Sequence, residues 1–420
     1  MILFRNCRIS ILLLLFLTSF ILYSCSDKEK EIADDFIYIT KVDVISHKTI
    51  DIKVDNFRRT IELLMDLEED ISAVEMKLNL ADNVKIINPL TVVAKYNLNN
   101  NPKILLEKRG KTVEFKIIVH FKSTPFNISL DDWEQKYSFG ELPEYISVFQ
   151  YKKDFPDKKA NVFIGVVDIS INKGKFSILG NKTGYQTPSQ FYSNSSKPTI
   201  ILNGGYFWSG TSLGLMIRDG ITISHAQSIV NRLYQNVQTP YYPTQGAFGL
   251  DINGQYSAQW VYESNNKLYS YPTPSPNKAS EKPYPIPSAT FPDGAVEWKP
   301  KDAIGAGPLL IKNGIYKNLW ENELFDEASG VGPTANHPRS AIAYHPNGYL
   351  VFFVCEGRNK TPYTPGLKLQ EVAHILLALG CTEAINLDGG GSSCMLINGQ
   401  ETIKPSDGKQ RTITNAIAIY

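Results

Sequence analysis

The fold of this chain is decided by the stretch Glu383-Ala-Ile-Asn-Leu-Asp-Gly-Gly-Gly-Ser-Ser-Cys-Met-Leu-Ile-Asn398. A short apolar run ends in Asp388, three glycines and two serines before apolar residues resume, which predicts a strand, a tight polar turn and a second strand. Consecutive glycines allow backbone conformations closed to other residues and bring N–H groups close to a ligand. The same residues also fit a glycine-rich hairpin whose acid satisfies its own backbone. The turn alone leaves both interpretations open.

The composition is typical of a globular protein with more than one domain. Of 420 residues, 43% are hydrophobic and 20% are charged, which argues against long disorder and leaves room for two or three domains. Lys and Arg number 43 against 42 Asp and Glu, and no basic stripe indicates binding of nucleic acid. We therefore expect no nucleic-acid partner.

The amino terminus carries a targeting signal. Two arginines precede an apolar run over residues 9–22, too short for a comfortable membrane span, as in a secretory signal. Cys25 follows a small residue, as at a bacterial lipoprotein processing site, so residues 1–24 are predicted to be a signal peptide and Cys25 an acylated first residue. Residues 25–35 would be a charged tether. We expect a lipid-anchored protein of the bacterial cell envelope, on the periplasmic or the outer surface; an uncleaved anchor is the alternative.

Residues 36–122 predict an all-β domain. Short apolar runs alternate with polar residues between turns, as in Ala73-Val-Glu-Met-Lys-Leu-Asn-Leu80. An antiparallel sandwich of immunoglobulin-like type fits this pattern. It would serve as a spacer or as a weak carbohydrate-binding module. Residues 123–160 are predicted to be a connecting region with a short helix.

A second domain is predicted over residues 161–420, of α+β type with a mixed sheet and few helices. The segment from Leu369 to Leu379 has the apolar spacing of a helix and lies between two apolar strands, which is the size of a βαβ unit. If those strands are parallel neighbours, a right-handed crossover brings Glu356 and Asp388 to the same edge of the sheet. Two carboxylates at one edge, beside a glycine turn, predict an active site.

Six phrases of the sequence together resemble the phosphodiester glycosidase family. They follow the family's order over about residues 162–420, and they are Asn203-Gly-Gly-Tyr-Phe207, Gly307-Pro-Leu-Leu-Ile-Lys-Asn-Gly314, Pro338-Arg-Ser-Ala341, Glu356-Gly-Arg358, Asn386-Leu-Asp-Gly-Gly-Gly-Ser-Ser393 and Arg411-Thr-Ile-Thr-Asn-Ala416. Two positions depart from the pattern: Glu356 stands where the family usually has Asp, and Lys368 stands where Ser or Thr is common.

The resemblance implies cleavage of the bond between a sugar's anomeric carbon and a phosphodiester oxygen, of the N-acetylglucosamine-1-phosphodiester type. A phosphate monoester leaves readily, so the reaction needs charge stabilisation on the phosphate and a carboxylate near the anomeric carbon. We expect Asp388 to act as nucleophile or as base for water, with Glu356 as the second carboxylate. Arg339 would bind the phosphate together with the amides of Gly389, Gly390 and Gly391. A purely structural pairing of Arg339 with one of the two acids is the alternative.

The remaining candidates would bind the substrate, and they are Asn203, Gly204, Gly205, Gly307, His337, Arg358, Asn386 and Ser392. His337 also fits a satisfied structural histidine. Ser392 is not expected to be a nucleophile, because its surroundings lack the second glycine of a G-x-S-x-G elbow. We expect no cofactor and no metal site, although the two acids could share a cation.

Two functions stay open at this point. The first is a hydrolase whose partner is a carbohydrate or sugar-phosphate substrate in envelope or host glycans. The second is a non-catalytic lipoprotein with the same fold that binds glycans or assists envelope assembly.

Overall fold

The structure, a computed structural model, describes residues 36–66, 71–98, 102–122, 128–169, 174–326 and 330–420. The chain forms two compact units, Met1–Val119 and His120–Tyr420. The predicted signal peptide, Cys25 and the tether lie outside the described residues. Within the described ranges, no helix combines the length and the apolar character that a membrane crossing requires.

The first unit is a β-sandwich. Its strands are β1 (Ile39–Val44), β2 (Thr49–Asp55), β3 (Thr60–Asp66), β4 (Val74–Leu80), β5 (Val84–Asn88), β6 (Val93–Tyr96), β7 (Lys103–Lys108) and β8 (Lys111–Lys122). One sheet has the order β1-β4-β6, and the other β2-β3-β8-β7-β5. The ring of Tyr38, beside the first sheet, lies 6.1 Å from that of Phe115 on the second. The expected all-β domain is confirmed, and its core follows the predicted alternation, since Val74, Met76 and Leu78 are buried.

The second unit consists mainly of strands. In chain order its elements are β9 (Trp133–Gln135), β10 (Ile146–Tyr151), β11 (Val162–Asp168), β12 (Phe176–Gly180), α1 (Pro188–Asn194), β13 (Ile200–Asn203), β14 (Phe207–Trp208), β15 (Thr211–Ser212), β16 (Met216–Arg218), β17 (Ile221–Ser224), β18 (Val230–Tyr234), β19 (Val237–Tyr241), β20 (Gln245–Asp251), β21 (Tyr256–Ser264), β22 (Lys267–Tyr271), β23 (Val296–Glu297), β24 (Pro300–Gly305), β25 (Leu309–Lys312), β26 (Ile315–Tyr316), β27 (Arg339–His345), β28 (Tyr349–Cys355), α2 (Leu369–Ala378), β29 (Glu383–Asn386), β30 (Met395–Ile397), β31 (Gln400–Glu401) and β32 (Asn415–Ile419).

Three sheets of this unit share one core. The first has the order β26-β25-β29-β27-β28-β11-β10-β9, the second β12-β32-β13-β30-β31, and the third β17-β16-β24-β20-β21-β22-β23. Two short hairpins, β14-β15 and β18-β19, stand apart from them. Phe352, Ile200 and Trp260, one from each sheet, are fully buried in the same apolar cluster. Burial of apolar surface between the sheets therefore stabilises the unit as a whole.

Two details differ from the sequence expectations. Every strand pairing described in this unit is antiparallel, so its sheets are not mixed. Within the predicted connecting region 123–160, the described residues contain β9 and β10 instead of a short helix. Both strands pair into the sheet of β11, so this region belongs to the second unit.

The predicted helix α2 is present, and its ends have identifiable causes. At its start the carboxylate of Glu371 accepts a hydrogen bond from the Lys368 N–H at 2.7 Å, which is the half of a capping box that does not need a Ser or Thr at the N-cap. At its end Gly380 has a φ of 82°, the left-handed conformation that closes many helices.

The strands β28 and β29 run in the same direction, but β27 lies between them and pairs antiparallel with both. In this register Arg339 is opposite Cys355, and Ala341 is opposite Asn386. The condition that β28 and β29 are neighbouring strands is therefore not met. The start of β27 and the ends of its two neighbours nevertheless meet at one edge of the sheet.

Candidate active site

A cavity of about 760 Å³ opens beside the glycine turn. Asp388, Gly389 and Gly390 line it, and so do Arg358 and Arg411. This volume is within the range of small-molecule sites. The turn thus contributes to a site, and is not merely a hairpin.

Asp388 is held in this cavity through its backbone. Its N–H donates to the carbonyl of Gly204 at 3.0 Å, and its carbonyl accepts from the side-chain amide of Asn203 at 2.7 Å. Burial raises the pKa of its carboxyl group from 3.8 to about 6, against the opposing effects of the Ser392 hydroxyl, the charge of Arg411 and the Gly389 N–H. The carboxylate is therefore a base that ionises near neutral pH, as an acid–base or nucleophilic catalyst requires.

The glycine turn offers fewer free amides than the sequence suggested. Residues Gly390–Ser392 form one turn of 3-10 helix, and Gly390 at its start has a φ of 60°, a left-handed conformation that glycine adopts without strain. The Gly389 N–H donates to Oδ1 of Asp388 at 2.8 Å, and the Gly390 N–H to the carbonyl of Pro338 at 3.0 Å. Two of the three amides expected to bind phosphate are thus used inside the protein.

Two guanidinium groups lie over the turn instead. A Cβ added at Gly390 would lie 2.9 Å from Nη2 of Arg358, and one added at Gly391 would collide with Arg411. Asp407 pairs with both arginines, at 3.3 Å from Nη1 of Arg358 and 2.7 Å from Nη2 of Arg411. Two positive charges share one negative charge, so the group keeps capacity for an added anion. Arg411 was not among the predicted site residues, although it opens the last of the six phrases.

Arg339 does not reach this cavity. It is completely buried, and its guanidinium donates to the carbonyl oxygens of Val331, Gly332, Ala335 and Leu367 at 2.6 to 2.9 Å. Its fork of donors fixes the loop that follows residue 330. These bonds give Arg339 a structural role, and its absence from the cavity lining disagrees with its prediction as a phosphate ligand.

Glu356 is also structural in this geometry. It is 1% exposed, and it accepts hydrogen bonds from the Asn161 side chain at 3.0 Å and from the N–H groups of Thr361 and Lys404 at 2.6 and 3.1 Å. Its oxygens therefore face loop donors. The side chain shares the sheet edge with Asp388 but does not line the cavity, which disagrees with its prediction as second carboxylate.

Asn203, Gly204 and Gly205 support the site without lining the cavity. Besides bonding Asp388, the buried Asn203 side chain accepts from the Ser340 hydroxyl at 2.7 Å and from the Cys394 N–H at 3.1 Å. A side chain at Gly204 or Gly205 would collide with Asn415 or with Gly305. These residues set the position of Asp388; they do not bind sugar or phosphate in this arrangement.

Tyr206 lies in the cavity wall, and its hydroxyl group links Gly307 to Asn386. Its hydroxyl donates to the carbonyl of Gly307 at 2.7 Å and accepts from the Asn386 side chain at 2.8 Å. Burial, and then the charge of Asp388, raise its pKa well above the usual value. Gly307 and Tyr206 line the cavity, whereas Asn386 acts through Tyr206. The sequence showed Tyr206 within a matching phrase but gave no sign of this role.

A second buried carboxylate, Glu323, also lines the cavity. It accepts from the Trp260 indole at 2.7 Å, the Leu309 N–H at 2.8 Å and the Gly246 N–H at 2.7 Å. Burial raises its pKa to about 7, although these donors act in the opposite direction. Its oxygens accept from two backbone N–H groups and an indole, so it holds the wall in place. No pattern in the sequence singled it out.

The last two candidates, Ser392 and His337, do not line the cavity. Ser392 is buried, and its hydroxyl bridges Asp388 to Nη1 of Arg411, which is 3.4 Å away. His337 does not line the cavity, and burial, followed by the charges of Arg339 and Arg358, lowers its pKa. Among the described residues no group of three or more His, Cys, Asp or Glu side chains could hold a metal ion.

Comparison with known proteins agrees with the sequence resemblance. The family model described as phosphodiester glycosidase matches residues 196–420. This chain therefore belongs to the phosphodiester glycosidase family, and the match covers β13 to β32, the glycine turn, Arg358 and Arg411.

Individual relatives are similar over shorter regions. The human N-acetylglucosamine-1-phosphodiester alpha-N-acetylglucosaminidase is 36% identical over 104 residues, 23% of this chain and 20% of that protein. The SPbeta prophage-derived uncharacterized protein YomE of Bacillus subtilis (strain 168) is 34% identical over 83 residues, 20% of this chain and 13% of that protein. The chain thus matches a small part of the length of these curated relatives.

Two solved structures are similar at low identity. The zebrafish N-acetylglucosamine-1-phosphodiester alpha-N-acetylglucosaminidase catalytic domain, auto-inhibited by its pro-peptide, gives a TM-score of 0.44 at 18% identity over 72% of this chain and 88% of that chain. A hypothetical protein from Synechocystis gives a TM-score of 0.44 at 17% identity over 84% of this chain and 74% of that chain.

Proposed function

We propose that the protein is a hydrolase that cleaves the bond between the anomeric carbon of a sugar and a phosphodiester oxygen, with N-acetylglucosamine as the sugar. One observation carries the proposal: Asp388, with a pKa raised to about 6, lies in the same cavity as Arg358 and Arg411. A carboxylate next to a cationic pair fits a substrate whose electrophilic carbon adjoins a phosphate.

In this reaction the C1–O bond breaks and the phosphate monoester leaves with the electron pair. Asp388 either removes a proton from the water that attacks C1, or attacks C1 itself before water releases the sugar. Arg358 and Arg411 bind the phosphate and stabilise the charge that develops on it. Because this leaving group needs little protonation, the site can work without a second carboxylate, consistent with the structural placement of Glu356.

The direct test is hydrolysis of the methyl diester of N-acetylglucosamine 1-phosphate by the chain without residues 1–24. In ¹⁸O-labelled water, cleavage at carbon places the label in the released sugar, whereas cleavage at phosphorus places it in methyl phosphate. Label in the phosphate would contradict the proposal. The anomeric configuration of the first-formed sugar, followed by NMR, separates the roles of Asp388: retention indicates a nucleophile and inversion a base.

Two matched variants test whether release of the sugar depends on Asp388. Asp388→Asn is expected to lower kcat by more than about 100-fold, as the loss of an essential acid–base group does. Asp154→Asn, which removes an exposed carboxylate outside the cavity lining, should leave it unchanged. No release from the wild type, with the diester still bound, would favour the alternative of a non-catalytic glycan-binding protein.

We also propose that the protein is anchored to the bacterial cell envelope by lipid on Cys25. The support is the order of charged, apolar and small residues in the first 25 positions. The full-length chain should partition with membranes and carry acyl chains on Cys25 by mass spectrometry. The Cys25→Ser variant should lose both properties; membrane partitioning unchanged in that variant would contradict lipid anchoring.

A further inference from the structure

The end of the first β-sandwich at which β1 begins, which we call the entry end, carries two turns bonded to the segment that leads into β1. In the turn between β2 and β3, the side chain of Asn56 accepts from the N–H groups of Tyr38 and Ile39 at 2.8 and 2.9 Å, and it donates to the Ile39 carbonyl at 2.8 Å. At the end of β7, Nζ of Lys108 donates to the carbonyl of Ile37 at 2.9 Å. The turn between β2 and β3 and the turn between β7 and β8 are therefore held at the same end.

These two turns expose an aromatic ring together with positive charges. Phe57 is 87% exposed, and the side chains of Arg58 and Arg59, next along the chain, are exposed as well. In the other turn Arg109 and Lys111 are exposed. A ring in a turn with arginines beside it is a combination that suits the interface of a lipid bilayer, because the ring leaves water while the cations stay at the level of the lipid phosphates.

Acids at the entry end offset these charges only in part. Nε of Arg58 lies 3.9 Å from Oδ2 of Asp55. Asp82 is exposed in the turn between β4 and β5, which reaches the same end because the Ala81 N–H donates to the Tyr38 carbonyl at 3.0 Å. Four exposed cations thus stand against two acids in these turns, so the entry end favours an anionic partner.

The chain ahead of β1 decides which anionic partner is within reach. Residues 26–35 separate Cys25, the proposed lipid-bearing residue, from Phe36, which is 57% exposed. A segment of that length spans at most about 35 Å when fully extended, so an acylated Cys25 keeps the entry end within that distance of the membrane. The segment contains five acids and two lysines, so an anionic bilayer repels it. Any attraction to such a bilayer must therefore come from the turns.

We propose that the entry end is a second membrane contact, in which Phe57 enters the interface of an anionic bilayer and the neighbouring arginines pair with lipid phosphates. The placement beside a membrane rests on the proposed lipid anchor at Cys25, whereas the surface itself needs no acyl chain. Apolar burial and charge attraction act at the same place, which strengthens binding and sets the orientation of the first domain relative to the bilayer.

The test is sedimentation with vesicles, using the chain without residues 1–24 and without lipid on Cys25. The wild type should bind vesicles that contain phosphatidylglycerol more tightly than vesicles of phosphatidylcholine alone, and added salt should reduce this difference. Phe57→Ser should lower the partition coefficient on the anionic vesicles on the order of tenfold, and so should the double variant Arg58→Gln/Arg59→Gln. Phe57→Trp should keep the binding, because Trp also enters the interface.

Two variants at the opposite end of the sandwich serve as matched controls. Ile45→Ser removes an apolar side chain that is 54% exposed, and Lys48→Gln removes an exposed cation. Both residues lie in the turn between β1 and β2, beyond the last residue of β1, and both variants should bind as the wild type does. Phe57 is so exposed that its replacement should not change the melting temperature, which separates weaker binding from loss of the fold.

No binding of the wild type to the anionic vesicles, or equal losses in the control variants, would overturn the proposal. Binding that depends on the arginines and not on Phe57 would also overturn it, since that indicates adsorption of charge without insertion. Binding that appears only when residues 25–35 are removed as well would assign the turns to this acidic segment instead of a bilayer. Failure of the lipid anchor is a separate result, because acylation is measured on the full-length chain by the mass of Cys25.

Discussion

Gly391 and Arg411 are in steric contact, so that any side chain at position 391 would overlap the guanidinium group. The third glycine of the turn is therefore required by the ion pair of Arg411 and Asp407, since a Cβ there would collide with atoms of both side chains. Arg411 is 40% exposed, so this packing fixes the direction of a group that could otherwise move freely. Together with Asp407, Gly391 determines where the positive charge lies relative to Asp388.

Replacement of Gly391 by Ala should displace Arg411 and impair phosphate binding more than folding. We expect kcat/KM for the diester to fall on the order of tenfold, a loss of about 1.4 kcal/mol in transition-state binding. The melting temperature should change little, because the displaced side chain is half-exposed. In an Arg411→Ala background the same substitution should cost less, because only the contact with Oδ2 of Asp407 remains, and a double-mutant cycle would measure the difference. Additive losses would show that the two positions act independently.

The pH dependence of activity should follow the ionisation of Asp388. Its pKa of about 6 means that the carboxylate is mostly protonated below pH 6 and ionised above it. Either role requires the ionised form, so kcat/KM should rise about tenfold per pH unit below this value and level off above it. A pH–rate profile between pH 4 and 8 checks this. A profile that is flat across pH 6 would remove Asp388 from the rate-determining chemistry.

Replacement of Asp388 by Asn should stabilise the protein at alkaline pH while it removes activity. The folded-state pKa of about 6 lies above the ordinary value of 3.8, so ionisation costs more in the folded state than in the unfolded state. This cost is absent below about pH 4, grows as the pH rises to 6 and persists above it. The variant should therefore gain about 3 kcal/mol at pH 8 and little at pH 4, as urea unfolding would measure. An equal change in the free energy of unfolding at both pH values would show that the change does not come from the ionisation of Asp388.

Replacement of Glu356 by Gln should destabilise the protein and leave its activity intact. An amide group cannot accept all the hydrogen bonds from Asn161, Thr361 and Lys404 that the carboxylate receives. We expect a loss of about 2 kcal/mol in the free energy of unfolding. The kcat of the folded fraction, measured well below the melting temperature, should stay within about twofold of the wild type. A loss of kcat without a loss of stability would indicate that Glu356 is a catalytic residue.

Local sequence patterns predicted much of the fold. The alternation in β4 and the apolar spacing of α2 both appear in the structure, because each reflects which side of a single element is buried. The position of β27 between β28 and β29 was not predictable in the same way. It depends on pairing between strands far apart in the chain, which no local pattern records.

The candidate site was predicted in part, for a related reason. Asp388 could be found because its role follows from the strand end and the glycines beside it. Arg339 and Glu356 also stand at strand ends, but their side chains turn toward loops, and the sequence does not show which donors or acceptors those loops supply. Arg411 lies in a polar segment without periodicity, so only its place in a family phrase could have indicated it.

The carboxylate of Asp407 has a further consequence for selectivity. Because it already contacts both Arg358 and Arg411, it acts as an internal competitor for every anion that enters the cavity. The net affinity of an anion is then the free energy of its pairing with the arginines minus that of the Asp407 pairing. Chloride and other weakly interacting ions therefore gain little by binding. A phosphodiester brings two more groups to the cavity walls, and its advantage over simple anions comes from these additional contacts.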